Sequence, residues 1–191
     1  MQLNPEEAIK IVQKEVSGLD EHGRIAILAR LKWFQQARPN QIIEENHDWS
    51  TCGVMAGRGF GKTRMGAEWA WWQAWSNPES YGAIIAPTRY DAQSVCIEGP
   101  AGILNTMPRE LLLSFNKSDL KLTLVNGSTI QAFSASEPDR LRGPQHHWAW
   151  CDELAAWEDP QEVWDMLQFG MRLGDHPQVI WTTTPRPVPL V

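Results

Sequence analysis

Short apolar runs alternate with longer segments of helical periodicity, and this alternation predicts the fold class of the chain. The apolar runs have the length of buried strands and cover residues 52–56, 82–86, 147–152 and 178–182. Helices are expected over about residues 63–75, 90–98 and 160–173, with a shorter one around Ile103. Residues 120–133 alternate about Asn126-Gly127, which is typical of a two-residue hairpin turn. Because apolar strands that alternate with helices pair in parallel, we expect an α/β fold with a mostly parallel sheet covered by helices on both faces.

The first forty residues are predicted to form a helical segment that packs on this core. Asn4-Pro5-Glu6-Glu7 has the features of a helix start: a capping residue, proline at the first helical position and acids in the first turn. Gly18 ends that helix. A second helix is expected from about residue 20 to residue 36, with a buried stripe formed by Ile25, Leu28, Leu31 and Trp33. The core then covers residues 41–184, and the proline-rich residues 185–191 resemble the start of a linker.

A glycine-rich segment after the first core strand has the chemistry of a phosphate-binding loop (P-loop). It meets the pattern G-x-x-x-x-G-K-[ST] except at its first position, which is Ala56. In such a loop the backbone N–H groups surround a triphosphate, Lys62 reaches the β- and γ-phosphates, and the Thr63 hydroxyl ligates Mg²⁺. The alternative is a chance Gly-Lys-Thr turn, but the strand before it and the helix after it favour the loop. The candidate ATP-binding residues are Ala56, Gly57, Arg58, Gly59, Phe60, Gly61, Lys62 and Thr63.

Ninety residues after Lys62, a predicted strand ends in Asp152-Glu153. A carboxylate at the end of a buried strand is suited to Mg²⁺, and Asp152 has this place. Glu153 is the candidate general base that orients the attacking water. The alternative is an acidic cap on a helix that begins near Leu154. Taken with the loop, the pair predicts a protein that binds ATP and Mg²⁺ and hydrolyses the nucleotide.

Charge that develops on a transferred phosphoryl group is commonly stabilised by an arginine. Arg58 lies inside the loop, and Arg142 lies in a flexible segment that also holds Arg140, before the strand of Asp152. For Arg140 we expect an ordinary solvated side chain. For Arg142 a catalytic role and a solvated side chain remain equally open.

Two further positions have candidate roles at the nucleotide. Thr182, Thr183 and Thr184 end the last predicted strand, where their hydroxyls can sense the γ-phosphate and transmit the state of the site. A strand end rich in β-branched residues is the alternative. Gln41 is a candidate hydrogen-bond partner for adenine, although an exposed loop glutamine is the more common case.

Composition narrows the functional classes. The 191 residues carry a net charge of −6 and have a pI near 5.4, which argues against attraction of nucleic acid to the whole surface but allows a local basic patch. No apolar run approaches the roughly 20 residues of a membrane span, and the first residues lack the regions of a secretory signal. The three cysteines, Cys52, Cys96 and Cys151, are far apart, which favours a reduced cytosolic protein without a zinc site.

Two local patterns suggest chemistry that their context argues against. Residues 116–119 read Asn-Lys-Ser-Asp, like the guanine-reading motif of GTPases, but they precede the strand of Asp152 instead of following an Asp-x-x-Gly segment. ATP is therefore expected rather than GTP. His146 and His147 are neighbours on a strand and so face opposite sides, which argues against a metal pair.

These motifs resemble the ATPase domain of the large terminase subunit, the motor that packages DNA into tailed-phage heads. The resemblance rests on Ala-Gly-Arg-Gly-Phe-Gly-Lys-Thr, on Leu-Arg-Gly followed by Trp-Ala-Trp-Cys-Asp-Glu-Leu-Ala, and on Thr-Thr-Thr-Pro, and it spans residues 38–187. It implies a P-loop NTPase fold of the additional-strand type. It also implies a catalytic core of Lys62, Thr63, Asp152 and Glu153, with coupling through residues 182–184, a trans-acting finger at Arg142, and Gln41 in the adenine-binding segment.

The resemblance further implies the setting of the activity. The expected partners are double-stranded DNA, a portal ring and a small terminase subunit, with a homo-oligomeric ring on the portal, a monomer possible in solution, and no membrane. The expected location is the host cytoplasm during virus assembly, outside the mature virion. Family members carry a nuclease domain after a linker, and residues 185–191 would begin that linker.

Three other functions make different demands on the sequence. A helicase-like remodeller would need a second motor domain and further arginine motifs. A small-molecule kinase would carry an arginine-rich lid and pass the phosphoryl group to an acceptor other than water. A nucleotide-binding scaffold would never turn over. Glu153 beside Asp152, without a recognisable lid, favours the hydrolase.

Overall fold

A computed structural model describes residues 16–43 and 48–186 of the chain. Its strands are β1 (Thr51–Met55), β2 (Tyr81–Ala86), β3 (Leu112–Asn116), β4 (Lys121–Leu124), β5 (Thr129–Ser134), β6 (Trp148–Cys151) and β7 (Gln178–Thr183). Its α-helices are α1 (Glu21–Gln36), α2 (Lys62–Ser76), α3 (Arg89–Asp91, continued by a π-helical turn over Ala92–Ile97), α4 (Ile103–Thr106) and α5 (Pro160–Gly170). The strands and helices predicted for the core are thus confirmed in kind, with ends that differ by a few residues.

The strands form one sheet in the order β1-β7-β6-β2-β5-β4-β3. The first five strands in this order are parallel, and β4 and β3 continue the sheet antiparallel. Alternate residues of β2 enter different cores: Ile84 packs with α2, whereas Ile85 packs with α5. The mostly parallel sheet with helices on both faces is therefore confirmed. Strand β7 lies between β1 and β6, which is the extra strand of an additional-strand P-loop fold.

The prediction that residues 52–56 form a buried strand is wrong in its burial. Strand β1 forms, but Met55 is 50% exposed, and Cys52 and Val54 are only half-buried. The reason is that β1 is the outermost strand of the described sheet, so its apolar run is covered incompletely. Gly53 is required where β1 approaches β7, since a Cβ there would overlap the Trp181 indole.

The buried stripe predicted for α1 is also largely wrong. Leu28 is 63% exposed and Leu31 is 45% exposed, and the buried positions are Gly23, Ala26, Arg30 and Trp33. Contacts with α2 explain this orientation, because Arg30 donates to the carbonyl oxygen of Glu68 at 3.3 Å and Arg64 stacks over the Trp33 ring. The burial of an arginine on the inner face depends on tertiary contacts, which the apolar pattern cannot indicate. The helix expected from Asn4 to Gly18 lies, except for its last residues, outside the described residues.

Helix α2 is enclosed on nearly all sides, as its lack of a polar face predicts. Ten of its fifteen residues are buried. It packs closely on the sheet, because Gly66 lies directly against the Trp150 indole and the rings of Trp69 and Trp148 meet edge to face at 5.7 Å. This packing fixes the N-terminus of α2, and with it the P-loop, relative to the ends of the strands.

The antiparallel extension contains one strand that the sequence did not predict. Strand β3 has no clear alternation, since Leu113 and Ser114 are both exposed. The Asn-Lys-Ser-Asp segment is the turn between β3 and β4, where the Asn116 side-chain oxygen accepts from the N–H groups of Ser118 and Asp119. That side chain shapes the turn. Of the helices described, none has the length and apolar character that crossing a membrane requires.

Candidate functional site

A cleft of about 690 Å³ opens where the carboxyl ends of β1, β6 and β7 meet the N-terminus of α2. Parallel strands present their carboxyl ends at one edge, which is where ligands bind in open α/β sheets. The cleft is lined by residues from the predicted loop and from the predicted acidic strand end. They include Arg58, Lys62, Thr63, Asp152, Glu153 and Thr184. The structure therefore brings together residues separated by more than a hundred positions.

The P-loop has the backbone that phosphate binding requires. Gly59 and Gly61 have φ values of 82° and 90°, a left-handed region that favours glycine. Ala56 keeps a negative φ, so alanine fits where the pattern has its first glycine, and its N–H donates to the carbonyl of Thr183. Within residues 16–43 and 48–186, no side chain caps the N-terminus of α2. The first N–H groups of this fifteen-residue helix are thus available to an anion.

Lys62 is folded back into the cleft. Its side chain is 6% exposed, and its ammonium donates to the Ala56 carbonyl at 3.1 Å and to the Thr184 hydroxyl at 2.9 Å. It also lies 3.3 Å from Glu153 Oε1. In a nucleotide complex, phosphate oxygens would replace some of these partners of the P-loop lysine.

Asp152 follows directly on β6 and is buried to 97%. Burial raises the pKa of its carboxyl to about 6, the hydrogen bond from Thr182 opposes this rise, and the charge of Glu153 adds to it. Its Oδ1 accepts from the Thr182 hydroxyl at 2.7 Å, and its Oδ2 accepts from the Cys96 thiol at 3.6 Å. The carboxyl group therefore has a fixed orientation at the floor of the cleft.

Glu153 is held in an unusual backbone conformation. Its φ of 47° and ψ of 48° are in the left-handed region, which is strained for a residue with a long side chain. Its carboxylate accepts from the Thr184 backbone N–H at 2.9 Å and from the Thr184 hydroxyl at 3.1 Å. The turn directs the carboxylate into the cleft, away from the buried side chain of Asp152. The alternative of a helix cap fails, because the Glu153 side chain makes no capping hydrogen bond to the short 3₁₀ turn that follows.

The three threonines have three different partners. Thr182 donates to Asp152, Thr183 accepts from the backbone N–H of Ala155 at 3.0 Å, and Thr184 lies between Lys62 and Glu153. Of the three, Thr184 lines the cleft, whereas Thr182 and Thr183 are fully buried. Their sensing of a γ-phosphate stays a prediction.

The residues present fit a magnesium ion. Thr63 and Asp152 line the same cleft and offer the hard oxygen ligands that Mg²⁺ prefers. Among the described residues no three His, Cys, Asp or Glu side chains cluster as a cage for a metal. In proteins Mg²⁺ is commonly held by one or two carboxylates, with water and substrate phosphates as its other ligands.

The two candidate arginines lie in different places. Arg58 is exposed and lines the cleft. Arg142 is 68% exposed, lies 3.6 Å from Asp139, and lines a separate surface groove beside α5. The structure of one chain does not bring it to the nucleotide cleft, so its role as a finger across subunits stays a prediction.

Gln41 contacts the P-loop itself. Its side-chain nitrogen donates to the Phe60 carbonyl at 2.7 Å, and its side-chain oxygen accepts from the Arg38 backbone N–H at 2.9 Å. Arg38 also donates to the Phe60 carbonyl and stacks over the Phe60 ring. Arg38 was not among the predicted site residues, and no motif marks it. The contact of Gln41 with adenine stays a prediction.

Known proteins resemble this chain both in sequence pattern and in fold. Residues 54–191 match the family model described as terminase large subunit, T4likevirus-type, N-terminal. No curated protein matches the chain. Among similar solved structures, the large terminase ATPase domain of Thermus phage P74-26 is 20% identical, with a TM-score of 0.61 over 83% of this chain and 70% of that one.

Two further solved structures, both of large terminases, are also similar. The HK97 bacteriophage large terminase is 16% identical, with a TM-score of 0.61 over 86% of this chain and 38% of that one. The large terminase of a thermophilic bacteriophage, solved in complex with ADP, is 17% identical, with a TM-score of 0.58 over 84% and 38%. This chain thus spans well under half of those two proteins, and at these identities the likeness shows a shared fold. Because the family model covers most of the chain, the protein belongs to the terminase large-subunit family.

Proposed function

We propose that this chain is an ATPase motor domain whose hydrolysis of ATP drives double-stranded DNA into a viral procapsid. One observation carries the proposal: Lys62, Asp152 and Glu153 meet in one cleft at the mouth of a P-loop. An ATPase needs a phosphate cradle, a cation, a metal carboxylate and a base, and each has a candidate here. The solved complexes of a related large terminase with ADP and with ATP-γ-S support a nucleotide as the ligand.

Glu153 is the residue best placed to act on water. Its side chain is 34% exposed, so water reaches it, whereas Asp152 is buried. Thr184 donates two hydrogen bonds to the Glu153 carboxylate and so fixes its direction. A γ-phosphate that draws Lys62 away would leave this carboxylate free to accept a proton from the attacking water.

Thr63 and Asp152 would hold Mg²⁺ beside the phosphates. When bound, the ion supplies positive charge that neutralises the charge developing on the phosphate oxygens. The protein's own contribution is to keep Asp152 oriented and to keep its backbone N–H groups pointed at the anion. Arg58 is available at the rim of the same cleft as a further cation.

The wider assembly is part of the proposal. As a terminase motor, the chain would act with double-stranded DNA, a portal ring and a small terminase subunit, in the host cytoplasm. Subunits that form a ring on the portal would allow Arg142 to reach a neighbour's cleft, and its exposure is compatible with that role. Residues 185–191 would lead to a nuclease domain.

The test is phosphate release from ATP with and without double-stranded DNA, on the wild type, Lys62→Ala, Glu153→Gln and Arg142→Ala. Lys62→Ala should abolish release, and Glu153→Gln should lower it roughly 100-fold or more while still binding ATP. Arg140→Ala is the matched control for Arg142→Ala, because Arg140 is also exposed and pairs with Glu137 at 3.3 Å. Full activity of Glu153→Gln would remove it as the base. Turnover that depends on an acceptor other than water would favour a kinase, and DNA-independent turnover in the assembled motor would refute translocation.

A further inference from the structure

Asp152 is held by two donors, and only one of them lies in a predicted motif. Thr182, at the end of β7, donates to Oδ1 at 2.7 Å. Cys96, on the turn after β2, donates to Oδ2 at 3.6 Å, which is within the reach of a thiol donor. The Thr182 oxygen is itself fixed by the Trp150 indole N–H at 3.1 Å. Both oxygens of the carboxylate are therefore bonded before any ligand arrives.

We propose that Cys96 is a positioning residue for the metal carboxylate: its thiol fixes the second oxygen of Asp152 and so strengthens Mg²⁺-dependent nucleotide binding. The inference rests on the proposed function. A carboxylate held at one oxygen only can still rotate about its last side-chain bond. The second hydrogen bond fixes the plane of the Asp152 carboxylate, so the lone pairs that it offers to the ion keep one direction.

Cys96 can act only as the donor in this pair. It is fully buried, as is the carboxyl group it contacts. A carboxylate oxygen can only accept a hydrogen bond, so the thiol is the donor. A weak donor suffices here, because Cys96 is fully buried and water does not take its place beside Asp152.

The backbone around Cys96 is built to aim the thiol at this place. The segment Ala92–Ile97 is a π-helical turn, in which the Glu98 N–H donates to the Gln93 carbonyl five residues earlier at 2.8 Å. The wider turn allows Asp91 and Val95 to line the cleft while Cys96 contacts Asp152. Turns of this kind are rare and often occur at functional sites.

Two glycines close the turn tightly. A Cβ on Gly99 would lie 2.6 Å from the Val95 carbonyl oxygen, and a Cβ on Gly102 would lie 2.8 Å from the Cys96 carbonyl oxygen. Neither distance is tolerable for a side chain. The carbonyl groups beside Cys96 are therefore in close contact with the glycine backbone, which holds the Cys96 backbone in place.

The alternative is that Cys96 is a small apolar residue that merely fills the core. The two cases differ in what they predict for binding. A packing role predicts losses in stability that are the same with and without Mg²⁺. A positioning role predicts a loss that appears only when Mg²⁺ is present, and removing a partner that orients a metal ligand commonly costs 10- to 100-fold in metal affinity.

The experiment measures the dissociation constant of a fluorescent non-hydrolysable ATP analogue, in Mg²⁺ and in EDTA. The variants are Cys96→Ala, which removes the thiol, and Cys96→Val, which removes the donor but fills the space. Cys151→Ala and Cys151→Val are the matched controls, because Cys151 is equally buried and adjacent to Asp152 in sequence. Thermal unfolding of every variant separates binding losses from unfolding.

The quantity compared is the ratio of the dissociation constant in EDTA to the dissociation constant in Mg²⁺. We expect both Cys96 variants to lower this ratio about 10-fold, with unchanged affinity in EDTA. The Cys151 variants should keep the wild-type ratio. Restoration of the ratio by Cys96→Val would overturn the proposal, because it would show that volume alone is needed; equal ratios in Cys96→Ala and the wild type would do the same. Failure of the wild type itself to bind more tightly in Mg²⁺ would count against the proposed ATPase instead.

Discussion

One buried histidine, which does not line the cleft, should make the stability of the fold depend on pH. His146 is 3% exposed, and neither ring nitrogen has a hydrogen-bond partner within the described part of the chain. Its ring meets the edge of Phe133 at 5.7 Å. Burial, and then the nearby His147, lower the pKa of His146 from its ordinary value of 6.5 to about 4. The folded protein therefore holds this imidazole neutral where the unfolded chain would bind a proton.

The sign of the effect follows from proton binding. Between pH 6.5 and pH 4 the unfolded state binds more protons at this site than the folded state, so the free energy of unfolding falls as the pH falls. With 1.36 kcal/mol for each pKa unit, the loss amounts to about 3 kcal/mol below both pKa values. Between pH 7.5 and pH 5 it is about 2 kcal/mol.

Asp152 opposes this trend and must be separated from it. Its pKa is raised from 3.8 to about 6, so between these values the folded state binds more protons, and stability rises as the pH falls. The wild type alone reports the sum over all groups with shifted pKa values, and burial raises the pKa of Glu68 as well. The difference between the wild type and His146→Leu removes the Asp152 contribution, because both proteins keep that carboxyl group.

The assay is urea unfolding followed by tryptophan fluorescence at pH 7.5 and pH 5. On going to pH 5, the wild type should lose about 2 kcal/mol more than His146→Leu. His176→Leu, at an exposed imidazole, is the control and should follow the wild type. Equal losses in the wild type and His146→Leu would refute the reasoning, since His146 would then be able to take up a proton in the folded state.

Two substitutions near the P-loop give further tests. Gly66→Ala would push a methyl group into the Trp150 indole and should lower the free energy of unfolding, measured in urea, by about 1–3 kcal/mol. Gly57→Ala is the control, because its methyl group would meet no atom and the substitution should be neutral. A neutral Gly66→Ala would show that the indole can move. Gln41→Leu removes a hydrogen bond to the P-loop and should weaken binding of adenosine and guanosine triphosphates equally, as measured by competition with a fluorescent nucleotide. A loss confined to adenine nucleotides would support instead a direct contact of Gln41 with the base.

The parts of the site that were predictable from sequence are those specified locally. The P-loop needs glycines at fixed positions between a strand and a helix, and Gly59 and Gly61 do adopt the left-handed conformation that makes them necessary. Asp152 follows an apolar run, and an apolar run that ends in a carboxylate places that carboxylate at a sheet edge. In both cases the chemistry and the conformation are set by neighbours in sequence.

What the sequence did not predict depends on contacts between distant segments. The inner face of α1 is set by Arg30 and Trp33, because Arg30 contacts the Glu68 backbone carbonyl and Trp33 contacts the Arg64 guanidinium of α2. The hydrogen bond of Gln41 to the P-loop joins residues nineteen positions apart through a short 3₁₀ turn. Cys96 belongs to no motif, and only the π-helical turn brings it to Asp152. Periodicity describes one element at a time and carries no information on such pairings.

The order of the strands bears on the predicted coupling of the nucleotide site to motion through residues 182–184. Because β7 lies between β1 and β6, Thr184 is the one side chain among the described residues that hydrogen-bonds both Lys62 and Glu153. A phosphate that binds the Lys62 ammonium would compete with the Thr184 hydroxyl for it, while the Thr184 backbone N–H still holds Glu153. The occupied site would then differ from the empty one at Thr184, which directly follows β7. A device that links the occupied site to motion needs a residue with this double contact.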